Sequence, residues 1–283
     1  MTGNNDGATR VASGMDKLGP LGVASPVFGA ADTAAAAEKA VELEELGFSE
    51  LWLPGGPGNN LPLVPAVVRA TKRITVANGI LPVDHVPAAE LAEVYGELAE
   101  SHPGRFVPGI GGAHGARPLA TLNAYFDEID PVVPQGERVL SAMGPKMLEL
   151  ARDRAAAAYP NLVTPGYIAS AREIVGPDTQ LVVGVPIVAE ADADRAREIV
   201  RGGSLPFLSG VPGYIANFRR MGFTDADITG LSDHLVDTLT VWGDLDAVAA
   251  GLRAYLDAGA DQVVIHVDGL PLSWPAELLS ALG

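Results

Sequence analysis

Cysteine is absent from the 283-residue chain, which excludes disulfides, thiolate nucleophiles and thiolate-ligated zinc and leaves the redox compartment unspecified. Positive charge is scarce, with 19 Lys and Arg against 35 Asp and Glu and a formal charge of −16. Nonspecific attraction to nucleic acid or to an anionic membrane is thereby disfavoured, and an anionic ligand must be held by local positive groups. No apolar run reaches the roughly 18 residues of a membrane span, and the opening "MTGNNDGATRVASGMDKLG" has no signal-peptide apolar core. A soluble cytoplasmic protein is expected, with no nucleic-acid or membrane partner, residues 1–17 as a mobile tail and residues 18–283 as one domain. Several catalytic signatures are also missing. There is no GxSxG elbow and no Walker motif, and the five histidines show neither HxH nor HExxH spacing.

What is present is a repeated phrase of helix, glycine and strand. In "AAAAEKAVELEELGFSELWLP" the positions Ala36, Ala40 and Leu43 keep helical spacing, Gly47 suits the left-handed residue that ends a helix, and Leu51 to Leu53 are strand-like. The segment "DLDAVAAGLRAYLDAGADQVVIHV" repeats the unit, with Asp244 as cap, Gly259 as stop and Val263 to Val267 as strand. Further apolar strands are expected at Leu21–Ala24, Ile74–Ala77, Phe106–Ile110, Val139–Ala142, Leu162–Val163 and Leu181–Val188. About eight alternations of short, continuously apolar strands with helices predict an α/β fold, a (β/α)8 TIM barrel. A doubly wound open sheet is the alternative. The Gly- and Pro-rich "RGGSLPFLSGVPGY" from Arg201 predicts an irregular insertion near the seventh strand.

In a barrel, chemistry sits where strands end and helices begin, which directs attention to "PGGPGNN", "NGILPVDH", "GIGGAHG" and "SAMGPK". "GIGGAHG" is not a dinucleotide fingerprint, because after Gly109 and Gly111 the third glycine would fall at His114. His114 is read either as an acid, base or donor to a bound ring or as a solvated loop histidine. Asn78 and Gly79 mark either a bulge approached by a ligand or an ordinary barrel corner. In "RVLSAMGPKMLELA" a strand runs through Gly144 and Pro145 into a helix that carries Lys146 in its first turn. Pro145 alone accounts for a helix start, yet the same uncapped start beside an ammonium also suits a phosphate. His266 and Asp268 lie two apart, so both would point to one side of the last strand, but they lack the further ligands a metal site needs, and none is assigned.

Taken together, "ELEELGFSELWLP", "ITVANGILPV", "HPGRFVPGIGGAHG", "RVLSAMGPKMLELA", "LVTPGYIASAREIVGPD", "MGFTDADITGLSDHLVDTLTVWGD" and "LRAYLDAGADQVVIHV" resemble the luciferase-like monooxygenase superfamily, within it the branch of coenzyme F420-dependent oxidoreductases. The resemblance implies a TIM barrel that binds a deazaflavin or flavin at the C-terminal strand ends. It also implies a bulge after the third strand, with the Gly79–Ile80 bond matching a non-prolyl cis peptide on which the tricyclic ring leans. By the same resemblance the cofactor phosphate is held at Met143 and Gly144. The cofactor-binding set expected from residues and resemblance together is Asn78, Gly79, Ile80, Gly109, Gly111, Met143, Gly144 and Lys146, with His114 as the catalytic donor or acid.

The chain also departs from the family pattern. Relatives that oxidise alcohols or sugars carry a histidine after the second strand and a glutamate after the fourth, where this sequence reads Gly56 and His114. An arginine a few residues past the bulge reads as His85. The expected function is hydride transfer from reduced F420 to a small organic acceptor. The alternatives are an FMN-dependent monooxygenase of the same superfamily and a catalytically silent cofactor-binding barrel. Family members commonly dimerise, which implies a homodimer.

Overall fold

The computed structural model of the protein describes residues 14–28, 32–56, 58–267 and 269–282. Residues 1–13 of the expected tail lie outside the described residues, as does Asp268. Met15, placed in that tail by the sequence reading, is only 4 % exposed and packs with Ala24, Trp52, Val107 and Val139.

The chain begins its alternation with β1 (Leu21–Ala24), α1 (Thr33–Glu45), β2 (Glu50–Pro54), α2 (Leu63–Ala70) and β3 (Thr75–Gly79). Ala36, Ala40 and Leu43 form the buried stripe of α1, Asp32 caps its start, and Gly47 follows it at φ 98°. The third barrel strand breaks at Ile80 and resumes as β4 (Leu81–Pro82), which leads to α3 (Ala88–Ser101). The fourth strand breaks at Pro108 into β5 (Phe106–Val107) and β6 (Gly109–Gly111), followed by α4 (Pro118–Ile129), β7 (Val139–Ser141) and α5 (Pro145–Arg154). Next come β8 (Ala157–Tyr159), α6 (Pro165–Val175) and β9 (Gln180–Val188).

All ladders are parallel, in the order β4-β6-β7-β8-β9-β11-β1-β2-β3-β5, where β11 is Gln262–His266. The two ends of that path are the same two barrel strands, because β3 runs on into β4 and β5 into β6. The sheet therefore closes on itself, and the expected TIM barrel is present. The period of two divides each strand between its faces. Leu51, Leu53, Val183 and Ile265 join the large cluster under the helices, whereas Trp52, Ala77, Val107, Val139, Ala157, Tyr159, Val182 and Val264 fill the lumen.

Two expectations need correction. The sixth strand is Ala157–Tyr159 and not Leu162–Val163, which lies in the following loop with Leu162 at φ 53°. The run "RAAAAY" favours helix by local propensity, but Ala157 pairs with both Val139 and Gln180, and these long-range ladders decide the outcome. The insertion after the seventh strand is helical, not irregular. Past α7 (Ala193–Gly202) it runs through α8 (Leu205–Leu208), α9 (Pro212–Arg220), α10 (Asp225–Gly230) and α11 (Asp233–Leu239). β10 (Val241–Trp242) then pairs with β9, and α12 (Leu245–Asp257) precedes β11, with α13 (Ser273–Leu282) after it. The insertion has its own core, in which Phe218, Phe223, Ile228, Leu235 and Leu239 pack together. Its glycines and prolines sit at helix boundaries, with Pro212 in the first turn of α9 and Gly203 closing α7.

Candidate functional site

The C-terminal strand ends gather most of the residues singled out in the sequence. At the third strand the Gly79–Ile80 peptide bond is cis, as the family resemblance implies. The neighbouring strands pack closely against this bulge. A Cβ on Gly109 would stand 1.8 Å from the Asn78 carbonyl oxygen, one on Gly55 would stand 2.4 Å from the Gly79 oxygen, and one on Gly111 would press the Ile80 side chain at 3.1 Å. Glycine is thus required at positions 55 and 109 by close backbone approach, and at 111 it makes room for the Ser141 and Ile80 side chains. The Gly55 N–H donates to the Gly79 oxygen at 2.6 Å and ties the bulge to the end of β2. The Asn78 amide donates to Asn60 Oδ1 at 2.8 Å, and Asn60 donates in turn to the Pro54 carbonyl at 2.8 Å. Asn78 Oδ1 is buried without a partner, while Gly79 and Ile80 remain partly open to solvent.

At the fifth strand end, α5 starts at Gly144 with no side-chain cap and Pro145 in its first turn. The leading amides of such a helix attract an anion. Lys146 is exposed on that turn, and a second cation was not foreseen. The Arg220 guanidinium, brought in by α9, stands 3.6 Å from the position a Cβ on Gly144 would take and donates to the Met143 carbonyl at 3.4 Å. Met143 also accepts from the Tyr167 hydroxyl at 2.7 Å. Among the described residues neither Lys146 nor Arg220 has a carboxylate partner, in a protein whose arginines are mostly ion-paired.

His114 lies at the rim, its side chain 67 % exposed. Asp84 accepts from both its backbone N–H and its Nδ1, each at 2.9 Å. Those bonds, the backbone one foremost, hold the Asp84 carboxyl below its usual range. With Nδ1–H committed to Asp84, Nε2 of a neutral ring is an acceptor, and it donates only when the ring is protonated. Gly56, where relatives carry a histidine, has φ 150° and nothing near its absent side chain.

The lumen beneath the bulge holds His266, weighed in the sequence only as a metal ligand, together with residues that the sequence reading did not single out. Trp52 and Tyr159 stack across it with centroids 5.1 Å apart and planes at 21°. The Tyr159 hydroxyl meets His266 Nε2 at 3.1 Å, and the Asn161 amide donates to the Tyr214 hydroxyl at 3.1 Å. Burial lowers the His266 pKa to about 4 and keeps Tyr159 in its phenol form. The only sequence signal was the inward period of β11, which puts Gln262, Val264 and His266 on one face. Tyr159 was hidden by the misplacement of the sixth strand.

These features fit a phosphate-bearing tricyclic cofactor in two respects. They offer a backbone ledge partly open at Gly79 and Ile80 for a flat ring, and an uncapped helix start with two cations that lack a carboxylate partner for an anion. Among the described residues no group of three His, Asp or Glu could hold a metal, and no helix is long and apolar enough to cross a membrane.

Comparison with known proteins agrees with this geometry. Residues 15–129, the first four βα units, match the model of the luciferase-like monooxygenase family, which bears out the resemblance read from the motifs. Similar solved structures include an F420-dependent secondary alcohol dehydrogenase in complex with an F420–acetone adduct (TM-score 0.68, 14 % identity, covering 94 % of this chain and 99 % of that one). A second is the coenzyme F420-dependent tetrahydromethanopterin reductase from Methanopyrus kandleri (0.70, 16 %, 92 % and 96 %). A third is the oxygenating constituent of 3,6-diketocamphane monooxygenase from Pseudomonas putida in complex with FMN (0.60, 16 %, 88 % and 91 %). At these identities the likeness is one of fold. No curated protein matches the chain. Over residues 15–129 the chain is thus similar to the luciferase-like monooxygenase family, and over nearly its whole length it shares the fold of these three structures.

Proposed function

We propose that the protein is an oxidoreductase that uses reduced coenzyme F420 for hydride transfer to a small organic acceptor. The observation that carries this reading is the Asn78–Gly79–Ile80 bulge, packed closely by Gly55 and Gly109 and partly open at Gly79 and Ile80, at the barrel end where α5 begins. Bound there, the deazaflavin would supply a hydride at its central ring carbon. Asn78, Gly79 and Ile80 back the ring, and Gly109 and Gly111 let it lie close to the fourth strand. The amides after Met143 and Gly144, with Lys146 and Arg220, hold the phosphate. His114, oriented by Asp84, serves as a rim hydrogen-bond donor to the bound ligand in its protonated form.

Fluorescence titration of the purified protein with F420 and with FMN tests the assignment, and F420 is expected to bind more tightly. Comparable or tighter FMN binding overturns it. In that event the FMN-dependent reading, favoured by the FMN-containing structure of the same fold, predicts a flavin absorption band and oxygen uptake.

A further inference from the structure

The upper layer of the lumen contains polar atoms that the cofactor reading leaves unused. Three side chains from separate elements converge on Gly184 of β9. A Cβ there would stand 2.6 Å from Asn161 Oδ1, 2.9 Å from the Tyr159 hydroxyl and 3.0 Å from His266 Nε2. Asn161 spends its amide hydrogen on Tyr214, and its buried Oδ1 has no donor. Tyr159 and His266 share one hydrogen bond, so one of the two retains a further hydrogen-bonding capacity. Asn161, Tyr214 and His266 are each partly exposed. Among the described residues no charged side chain bonds to this group. An acceptor without a donor, beside a phenol that can donate, and all of it uncharged, matches a neutral hydroxyl or carbonyl and disfavours a carboxylate.

We propose that Asn161, Tyr159 and His266 form the subsite for the oxygen of an uncharged carbonyl acceptor and of the alcohol it becomes. Tyr159 donates to that oxygen, and Asn161 Oδ1 accepts the O–H that only the alcohol form possesses. The inference rests on the reading of the site as one for hydride transfer. When hydride reaches the carbonyl carbon, the C–H bond forms with the hydride's electron pair and the C=O π pair moves onto oxygen. The Tyr159 proton goes to that oxygen, the His266 Nε2 proton replaces it on Tyr159, and water returns a proton to His266 Nδ1. The acceptor is reduced by two electrons, the deazaflavin is oxidised by two, and one solvent proton is consumed. Tyr159 and Asn161 touch the acceptor, and His266 acts through Tyr159 as a positioning residue.

Ligand-observed NMR on the full chain, with cyclohexanol, cyclohexanone, cyclohexanecarboxylate and methylcyclohexane as probes, tests the subsite. Binding is expected in the order alcohol, ketone, hydrocarbon, with no carboxylate binding. Tyr159→Phe keeps the stack on Trp52 and should weaken cyclohexanol about tenfold. Asn161→Leu should erase the preference for alcohol over ketone. The 15N resonance of His266 Nε2 in the unmutated chain should move when cyclohexanol binds, a readout that survives if either variant fails to fold. Equal binding of the carboxylate, absence of probe binding, unchanged affinities in both variants, or a static His266 resonance overturns the subsite. F420 titration of the same samples separates the two readings. Retained F420 binding without probe selectivity sinks the subsite alone, and probe selectivity without F420 binding sinks the cofactor assignment alone.

Discussion

Glu44 and Glu50 are both taken out of water, at 7 % and 0 % exposure, and the fold handles them in opposite ways. Burial pushes the Glu44 carboxyl up, but the backbone N–H groups of Lys72, Arg73 and Ile74 all donate to it, and together with Arg105 they bring it below its usual value. Its contribution is therefore present above pH 4.5 and lost as the pH falls through its folded pKa. Glu44→Gln should destabilise the chain by about 1–3 kcal/mol at neutral pH, read by urea unfolding, and the deficit should shrink in acid. Glu50, at the foot of β2, has no such support. Burial raises its carboxyl well above the usual value, only Gln262 donates to it, and Thr75 Oγ1, Gln262 Oε1 and Glu50 Oε2 lack partners. Here the sign reverses, so the stability is whole below pH 4.5 and declines as the pH climbs toward the folded pKa. Glu50→Gln stays neutral throughout and should raise the melting temperature more at pH 8 than at pH 4.5. An equal shift at both values would mean that Glu50 is ionised in the folded protein. Neither glutamate could be picked out in the sequence, because burial of a single carboxylate leaves no trace in helical or strand periodicity.

Among the elements, α5 and the inserted helices act on the same corner of the barrel. Lys146→Glu and Arg220→Glu each place a carboxylate beside the α5 start, and each should weaken F420 about tenfold or more while barely affecting a fragment that lacks the phosphate. Equal losses for the fragment would remove the helix start from cofactor binding. Phe218 is the fully buried centre of the inserted core and packs against Tyr214 and Phe223 at centroid distances of 6.1 and 6.3 Å. Phe218→Ala should cost about 3–5 kcal/mol locally. Hydrogen exchange should then show lost protection in α9 to α11, with protection retained in β1 to β3. Much at this level was legible beforehand. Gly47 and Gly259 do close α1 and α12, Asp244 does cap α12, and β1 and β9 fall where apolar runs predict them. The glycines packed around the bulge could also be read, since each is a letter in one loop. The pairing of Tyr159 with His266 could not, because it joins residues 107 positions apart and exists only once the barrel closes.

The 283-residue chain carries a formal charge of −16, so the proposed anionic cofactor would approach against the field of the protein and depend on a few local cations to hold it. Long-range repulsion is screened within about 10 Å at 0.1 M salt, whereas contacts at the helix start are screened less. Stopped-flow association of F420 should therefore speed up as salt is raised from 10 to about 150 mM. A rate that falls over this range would show that the local cations dominate the approach.

Met15 packs into the lumen with Val107, Val139 and Val182, so the barrel below the strand ends is filled by side chains among the described residues. A ring on the Gly79–Ile80 ledge and an acceptor on Tyr159 and Asn161, bound as proposed, would share the approach at the strand ends. Steady-state kinetics should then show compulsory order, with one product competing against one substrate only, and a random-order pattern would mean that the two positions are reached independently.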